Sequence, residues 1–254
     1  YSSPDYKEAL KWFRKAAAQG NFYAQRQIGI MYSKGQGVPQ NYKKALTWYR
    51  KAAAQGGDYE QFIIGGDFFY GYNGFHQDYK EALKWYRKAA AQGNIDAQHR
   101  IGVMYYKGEG VPQNYKKALT WYRKAAAQGN IDAQHQIGVM YYKGEGVPQN
   151  YKEALKWFQK AAAQRGVNAQ YNIGWMYKNG QGVSQNYKEA LKWYQKAAAQ
   201  GDADAQYNIG VMYDNGDGVT QNYKEALNWY RKAAAQGHTN AKNEVEKLEK
   251  LIKQ

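Results

Sequence analysis

Four histidines, four serines and no cysteine bound the chemistry open to this chain. Without Cys there are no disulfides, no thiolate nucleophiles and no Cys-based metal sites. None of Ser2, Ser3, Ser33 and Ser184 begins an S-x-x-K or lies in G-x-S-x-G, so no acyl-transfer serine is set up. Among His76, His99, His135 and His238 there is no H-E-x-x-H, and the chain holds no P-loop. His99 and His135 stand 36 residues apart and could face one groove as a stacked pair. A zinc site would need further ligands, and the plainer alternative is two aromatic groove residues. Gly35-Gln36-Gly37 is not a dinucleotide fingerprint, because no strand precedes it. The expectation is therefore a chain without catalytic residues, metal or cofactor. What it does supply is ring surface, in 8 Trp, 26 Tyr and 7 Phe, with Tyr, Trp and Arg being favoured binding anchors.

Those rings are ordered by a repeat. Trp12, Trp48, Trp85, Trp121, Trp157, Trp193 and Trp229 are spaced by 36 residues, once by 37. Segments 94–129 and 130–165 agree at 30 of 36 positions. A period of this size reads as stacked helical pairs, each burying its apolar face only against neighbours. The half-repeat 1–20 is followed by repeats 21–56, 57–93, 94–129, 130–165, 166–201 and 202–237, then a capping helix over 238–254, all one domain. The half-repeat supplies a second helix with no first helix before it, expected of a chain cut from a longer array or of an end that frays. Ala241, Val245, Leu248 and Ile252 give the capping helix its apolar stripe.

Within a repeat the second helix, B, is the plainer. Asn41 is its N-cap, and Tyr42, Ala45, Leu46, Trp48, Tyr49, Ala52 and Ala53 share a face opposite Lys43, Lys44, Arg50 and Lys51. Seven recurrences of Trp at one position place it in the core. Asp5, Asp78, Asn114, Asn150, Asn186 and Asn222 repeat the cap, and Glu8, Glu81, Glu153, Glu189 and Glu225 stand at capping-box spacing. Gly20, Gly56, Gly93, Gly129, Gly201 and Gly237 end these helices where a left-handed residue is wanted. The first helix, A, spans Phe22 to Lys34 and packs through Ala24, Ile28, Met31 and Tyr32. Its Gly29, recurring through Gly210, costs roughly 1 kcal/mol against Ala, which implies close helix approach. Repeat 57–93 is aberrant: Glu60 replaces Ala, Asp67 replaces Met, and one residue is inserted near Tyr72-Asn73.

The pattern Ala24-Gln25…Ile28-Gly29…Met31-Tyr32…Gly35…Gly37-Val38, then Tyr42…Ala45-Leu46…Trp48-Tyr49…Ala52-Ala53…Gly56, resembles the SEL-one-like repeat (SLR), a relative of the tetratricopeptide repeat. It covers nearly the whole chain. The resemblance implies an all-α, right-handed α/α superhelical solenoid whose A helices line a concave, protein-binding face. It leans toward a bacterial periplasmic, secreted or host-delivered protein, while the residues leave the compartment open. Some bacterial members carry a disulfide in each repeat, so this chain must rely on packing alone.

Subtracting the packing positions from helix A leaves a variable face, Tyr23, Arg26, Ile30, Ser33 and Lys34 in the first full repeat. Later repeats place Phe62, Phe69 and Tyr70 there, then His99, Tyr106 and Lys107, and then His135, Tyr142 and Lys143. Tyr171, Trp175 and Lys178 follow, with Tyr207 and Asp214 last. A row of solvent-facing rings marks a groove for a peptide or protein segment. The competing reading is that they cover seams between repeats.

The net charge of +15 raises the question of a polyanion. Yet 25 of the 36 Lys and Arg lie on the B helices, turned away from the core, which reads as a solvated outer face rather than a nucleic-acid site. No apolar run approaches the ~20 residues that span a bilayer. No signal peptide is read at the start, which at Tyr1 lacks Met, as when an upstream segment has been removed. The expected molecule is a monomeric, non-catalytic scaffold or adaptor. A basic surface protein for an anionic polymer or membrane is the alternative, and a cell-wall or lactam hydrolase, by family analogy, the third.

Overall fold

A computed structural model describes residues 5–72 and 75–252, and among these all regular structure is helical. The A helices are α2 (Phe22–Lys34), α4 (Asp58–Tyr70), α6 (Ile95–Lys107), α8 (Ile131–Lys143), α10 (Val167–Asn179) and α12 (Ala203–Asn215). The B helices are α1 (Tyr6–Ala18), α3 (Tyr42–Gln55), α5 (Tyr79–Ala91), α7 (Tyr115–Ala127), α9 (Tyr151–Ala163), α11 (Tyr187–Ala198) and α13 (Tyr223–Ala235), and α14 (Thr239–Ile252) closes the series. The fold is the expected α/α repeat. Its contacts fall into two compact units that meet between Asn130 and Ile131. Within each unit, consecutive helices pack on one another. The inserted residue of repeat 57–93 falls at Tyr72-Asn73, and Asn73 lies outside the described residues.

Each B helix starts where its cap says it should: Asn41, Asp78, Asn114, Asn150, Asn186 and Asn222 accept backbone N–H groups of the first turn. The capping box does not close. The N–H of Asp78 donates to Phe68 O, that of Asn150 to Tyr141 O and that of Asn186 to Tyr177 O, so the preceding A helix has already taken the donor. Glu81, Glu153 and Glu189 pair instead with Lys84, Lys156 and Lys192 one turn on. At the other end Gly20, Gly93, Gly129, Gly201 and Gly237 have φ between 84° and 96°, as expected. Gly56 does not: at φ −77° it is extended, and α4 starts two residues later at Asp58. In repeat 130–165 the left-handed position falls on Arg165, at φ 66°.

The core of each pair is one B-helix ring lying on one A-helix glycine. Tyr49, Tyr86, Tyr122, Phe158, Tyr194 and Tyr230 are fully buried. A Cβ added to Gly102 would sit 2.5 Å from Tyr122 Cδ1, and one on Gly138 would sit 2.6 Å from Phe158 Cδ1. Only a missing side chain lets the helices come this close. Burial deprotonates none of these phenols easily: it pushes Tyr49 up to about 12 and raises Tyr86, Tyr122, Tyr194 and Tyr230 as well.

The repeated tryptophan is not the core residue expected. Trp85 alone is buried, at 6% exposed, while Trp12 is 61% exposed and Trp48, Trp121, Trp157, Trp193 and Trp229 are half-buried. One residue before the buried ring, Trp is turned about 100° from it and reaches only the edge of the packing face. The lysine three residues on covers it, with Nζ 4.0–4.7 Å from the ring centroid at all seven positions.

In three of the pairs a buried glutamine ties the pair to the B helix before it. Gln98 Nε2 donates to Ala90 O on α5, and its Oε1 accepts from Gln128 at the end of α7 at 2.9 Å. Gln61 and Gln206 make the same two bonds, to Ala53 O and Gln92 and to Ala198 O and Gln236. At the far end Ala241 and Leu248 of α14 are buried and Val245 packs beside them, whereas Ile252, expected on the same stripe, is exposed. No described helix is long and apolar enough to cross a membrane.

Candidate functional site

In the second unit the variable positions of α8 and α10 converge on a cleft of about 350 Å³ lined by Val139, Tyr142, Lys143, Phe158, Tyr171, Asn172 and Trp175. Four of these, Tyr142, Lys143, Tyr171 and Trp175, are residues the sequence singled out. Trp175 is 38% exposed, a large ring facing solvent by design of its neighbours rather than by accident of a loop. Its Nε1 donates to Tyr142 Oη at 3.2 Å, and Tyr142 Oη in turn donates to Gln181 Oε1 at 2.6 Å. Two hydrogen bonds thus hold an indole and a phenol over an apolar floor, so little rotamer freedom is left to lose on binding. None of the lining residues is acidic. Lys143 stands at the rim, its Nζ 3.8 Å from Glu145.

Beneath the rim His135 Nε2 lies 2.9 Å from Asn172 Nδ2. An amide nitrogen only donates, so this ring nitrogen accepts and the imidazole is neutral. Burial holds His135 below the ordinary histidine range, in keeping with that. On the other flank of α10, Asn208 of α12 donates to Tyr171 Oη at 3.4 Å and accepts from Lys178 Nζ at 3.3 Å. Burial lowers the Lys178 pKa, with Asp217 pulling the other way. Further on, the Tyr207 ring stacks on His238 at 4.5 Å.

Other predicted residues pack within their own helix pair rather than at seams between repeats. Phe62, His99, His135, Tyr171 and Tyr207 each lie tilted on the buried B-helix ring of their own pair, with centroids 5.5–5.7 Å apart. Tyr106 and Tyr142 lie in the same way on Tyr115 and Tyr151, at 5.2 Å. Phe69, expected to face solvent, is buried at 6% exposed, because Tyr70, Tyr79 and Tyr86 surround it. Ser33 is buried too, its Oγ donating to Ile30 O. Arg26 is half-buried, while Tyr70 and Lys107 are exposed.

Three contributors escaped the sequence reading. Asn172 and Asn208 occupy the A-helix position next to the one chosen. So does Arg100, whose guanidinium lies 5.4 Å from the Phe69 centroid and 5.6 Å from that of Tyr70. A signal existed for Arg100: within the A helices of the two most alike repeats, Arg100 against Gln136 is the single difference.

Known proteins agree with this architecture. The Sel1 repeat model matches residues 1–21, 22–57, 64–94, 95–130, 131–165, 167–202 and 203–238. No curated protein matches the chain. The chain is similar to a protective antigen of uropathogenic Escherichia coli displaying an SLR fold, at 36% identity and a TM-score of 0.82 over 97% of this chain. It spans about half of that protein, 53% of its length. It is also similar to a Sel1 repeat protein from Oxalobacter formigenes, at 37% identity and a TM-score of 0.81, covering 96% of this chain and 70% of that one. Sel1 repeat proteins generally mediate protein–protein interaction and are typically non-catalytic scaffolds. With seven matched repeats over most of its length, the chain belongs to the Sel1 repeat family.

Proposed function

We propose that this chain is a non-catalytic binding module that holds a peptide or protein segment on the free face of its A helices, anchored in the cleft between α8 and α10. One observation carries the reading. Trp175 is held half-exposed by Tyr142 over an apolar floor, although Tyr142 itself also packs on Tyr151. Large amphipathic rings fixed in a water-poor pocket are the usual energetic centre of a protein interface. The test is affinity capture from a bacterial extract with the intact chain, with Trp175→Ala, and with the outer-face variant Lys152→Glu. The reading expects captured proteins to be lost with Trp175→Ala and kept with Lys152→Glu, at equal melting temperatures. Capture that survives Trp175→Ala and fails with Lys152→Glu overturns it.

A second reading rests on the charge layout, since the B helices carry 25 of the 36 Lys and Arg. They would hold an anionic polymer electrostatically, and that binding would fall steeply with salt. The cleft is favoured because one lysine of each B helix is already engaged over its tryptophan.

A further inference from the structure

Arg100 carries a charge that the fold leaves unanswered. Its guanidinium lies over two rings of the preceding A helix, 5.4 Å from the Phe69 centroid and 5.6 Å from that of Tyr70. Tyr72 stacks on Tyr70 at 5.1 Å, so that ring is itself held. Among the described residues the N–H groups of Arg100 make no hydrogen bond and no ion pair. By contrast Arg87 donates to Tyr105 Oη at 2.8 Å, and Arg231 pairs with Glu249 at 2.6 Å. Nearby acids do not fill the gap. Asp96, one turn back on α6, is exposed and makes no ion pair with Arg100, and Asp67 of α4 is buried with a partner of its own. The place is open: Arg100 is half-buried and Tyr70 is 45% exposed. In register Arg100 stands where Asn172 lines the α8–α10 cleft, with Phe69 and Tyr70 at the positions of Tyr142 and Lys143 and Gly66 at that of Val139. A guanidinium laid flat on rings keeps its donors at the edge, in a fork that matches a carboxylate, and has less freedom to lose on binding one.

We propose that Arg100 is a carboxylate-binding site: it takes a Glu or Asp side chain of a partner segment lying across α4 and α6, with the stem of that side chain against Tyr70. This goes beyond the α8–α10 cleft, because every residue of the site belongs to the first unit and the site stands whether or not the cleft binds anything. A protein carboxylate is favoured over a nucleic acid because the site offers one fixed cation rather than a row of them; 25 of the 36 Lys and Arg lie on the B helices.

The experiment uses the intact chain and a short rhodamine-labelled Gly/Ser peptide carrying a run of Glu, beside its Gln counterpart, read by anisotropy at about 0.15 M salt, where distant charges are screened. The Glu peptide should bind about tenfold more tightly than the Gln peptide, the worth of one charge-assisted fork. Arg100→Gln, the residue its sister repeat carries at Gln136, should abolish that difference while the chain stays folded by circular dichroism. Arg100→Lys keeps the charge but loses the planar fork, and should bind the Glu peptide several-fold more weakly than the parent. Lys242→Gln, which removes the same charge from an exposed position on α14, should leave binding unchanged. Equal loss in Arg100→Gln and Lys242→Gln would show that only net charge matters and overturns the proposal. Arg100→Lys binding as tightly as the parent overturns it too, as does a parent chain that does not distinguish the Glu and Gln peptides. A labelled oligouridine that binds through Arg100 more tightly than the Glu peptide would assign the site to nucleic acid instead.

Discussion

Two adjacent glycines of α4 allow a clean trial of the packing. Gly65 faces the buried ring of Tyr86, where an added Cβ would meet Cδ1 at 2.6 Å and Cε1 at 2.7 Å. Gly66 faces away, and its Cβ would find only Tyr86 Oη at 3.8 Å, an ordinary contact. Other repeats carry Ile30, Val103, Val139, Trp175 and Val211 at the position of Gly66. Replacing either glycine by Ala gains the same helix propensity, about 1 kcal/mol. That term cancels between the two variants, and what remains is the steric cost at Gly65. Carbon pairs rest at about 3.5–4.0 Å, so the ring must retreat by about 1 Å. Tyr86 is 1% exposed, with Phe62 and Phe69 against it, and has nowhere to go. Overpacking of this kind costs about 1–3 kcal/mol. Gly66→Ala should therefore stabilise by about 1 kcal/mol, and Gly65→Ala should fall below it by about 2 kcal/mol or more. Urea titration followed by circular dichroism reads the gap as a difference in midpoint, since both changes lie in one helix of one unit. Equal midpoints would refute the ring-on-glycine packing.

Arg165, the non-glycine residue at φ 66°, should be improved by the residue its sister repeats use: Arg165→Gly is expected to stabilise by about 0.5–1 kcal/mol, visible as a higher melting temperature. Alkali should unfold the chain cooperatively. The buried tyrosines are raised in the fold, Tyr49 to about 12, against about 10 when unfolded, so their contribution is intact below pH ~10 and is lost as pH rises toward 12. Tyrosinate absorbance and helical signal should then change together above pH ~10, and phenols ionising in a still-helical chain would contradict this.

How much of this could be read from residues alone depended on whether neighbours in sequence decided the matter. Helix limits were legible because caps and left-handed glycines act within one turn; Phe22 and Lys34 bound α2 as the spacing predicts. Gly56 escaped because two glycines in a row let the chain choose an extended exit. The tryptophans misled because recurrence marks a constant environment and does not say which one; a ring under a lysine recurs as faithfully as a ring in a core. In the site, Trp175 and Tyr142 stood out as rings on a varying face, while Asn172 and Asn208 did not. Their part depends on side chains of the preceding repeat, 30 to 37 residues away, which no local pattern reveals.

The glutamine ties have a consequence for how such genes change length. Gln61, Gln98 and Gln206 each donate to a carbonyl of the helix before and offer an oxygen to the glutamine that ends the next B helix, so each of these repeats brings one of each. Adding or removing a whole repeat of this kind by unequal recombination preserves both bonds of the tie. Loss of half a unit would break one of them. The array is thus tolerant of copying errors in multiples of its period and intolerant of others, and this mends its reading frame of contacts without any compensating mutation. Phe158 apart, the positions that line the cleft lie outside both the tie and the ring-on-glycine contact, and so are free to diverge after each such event.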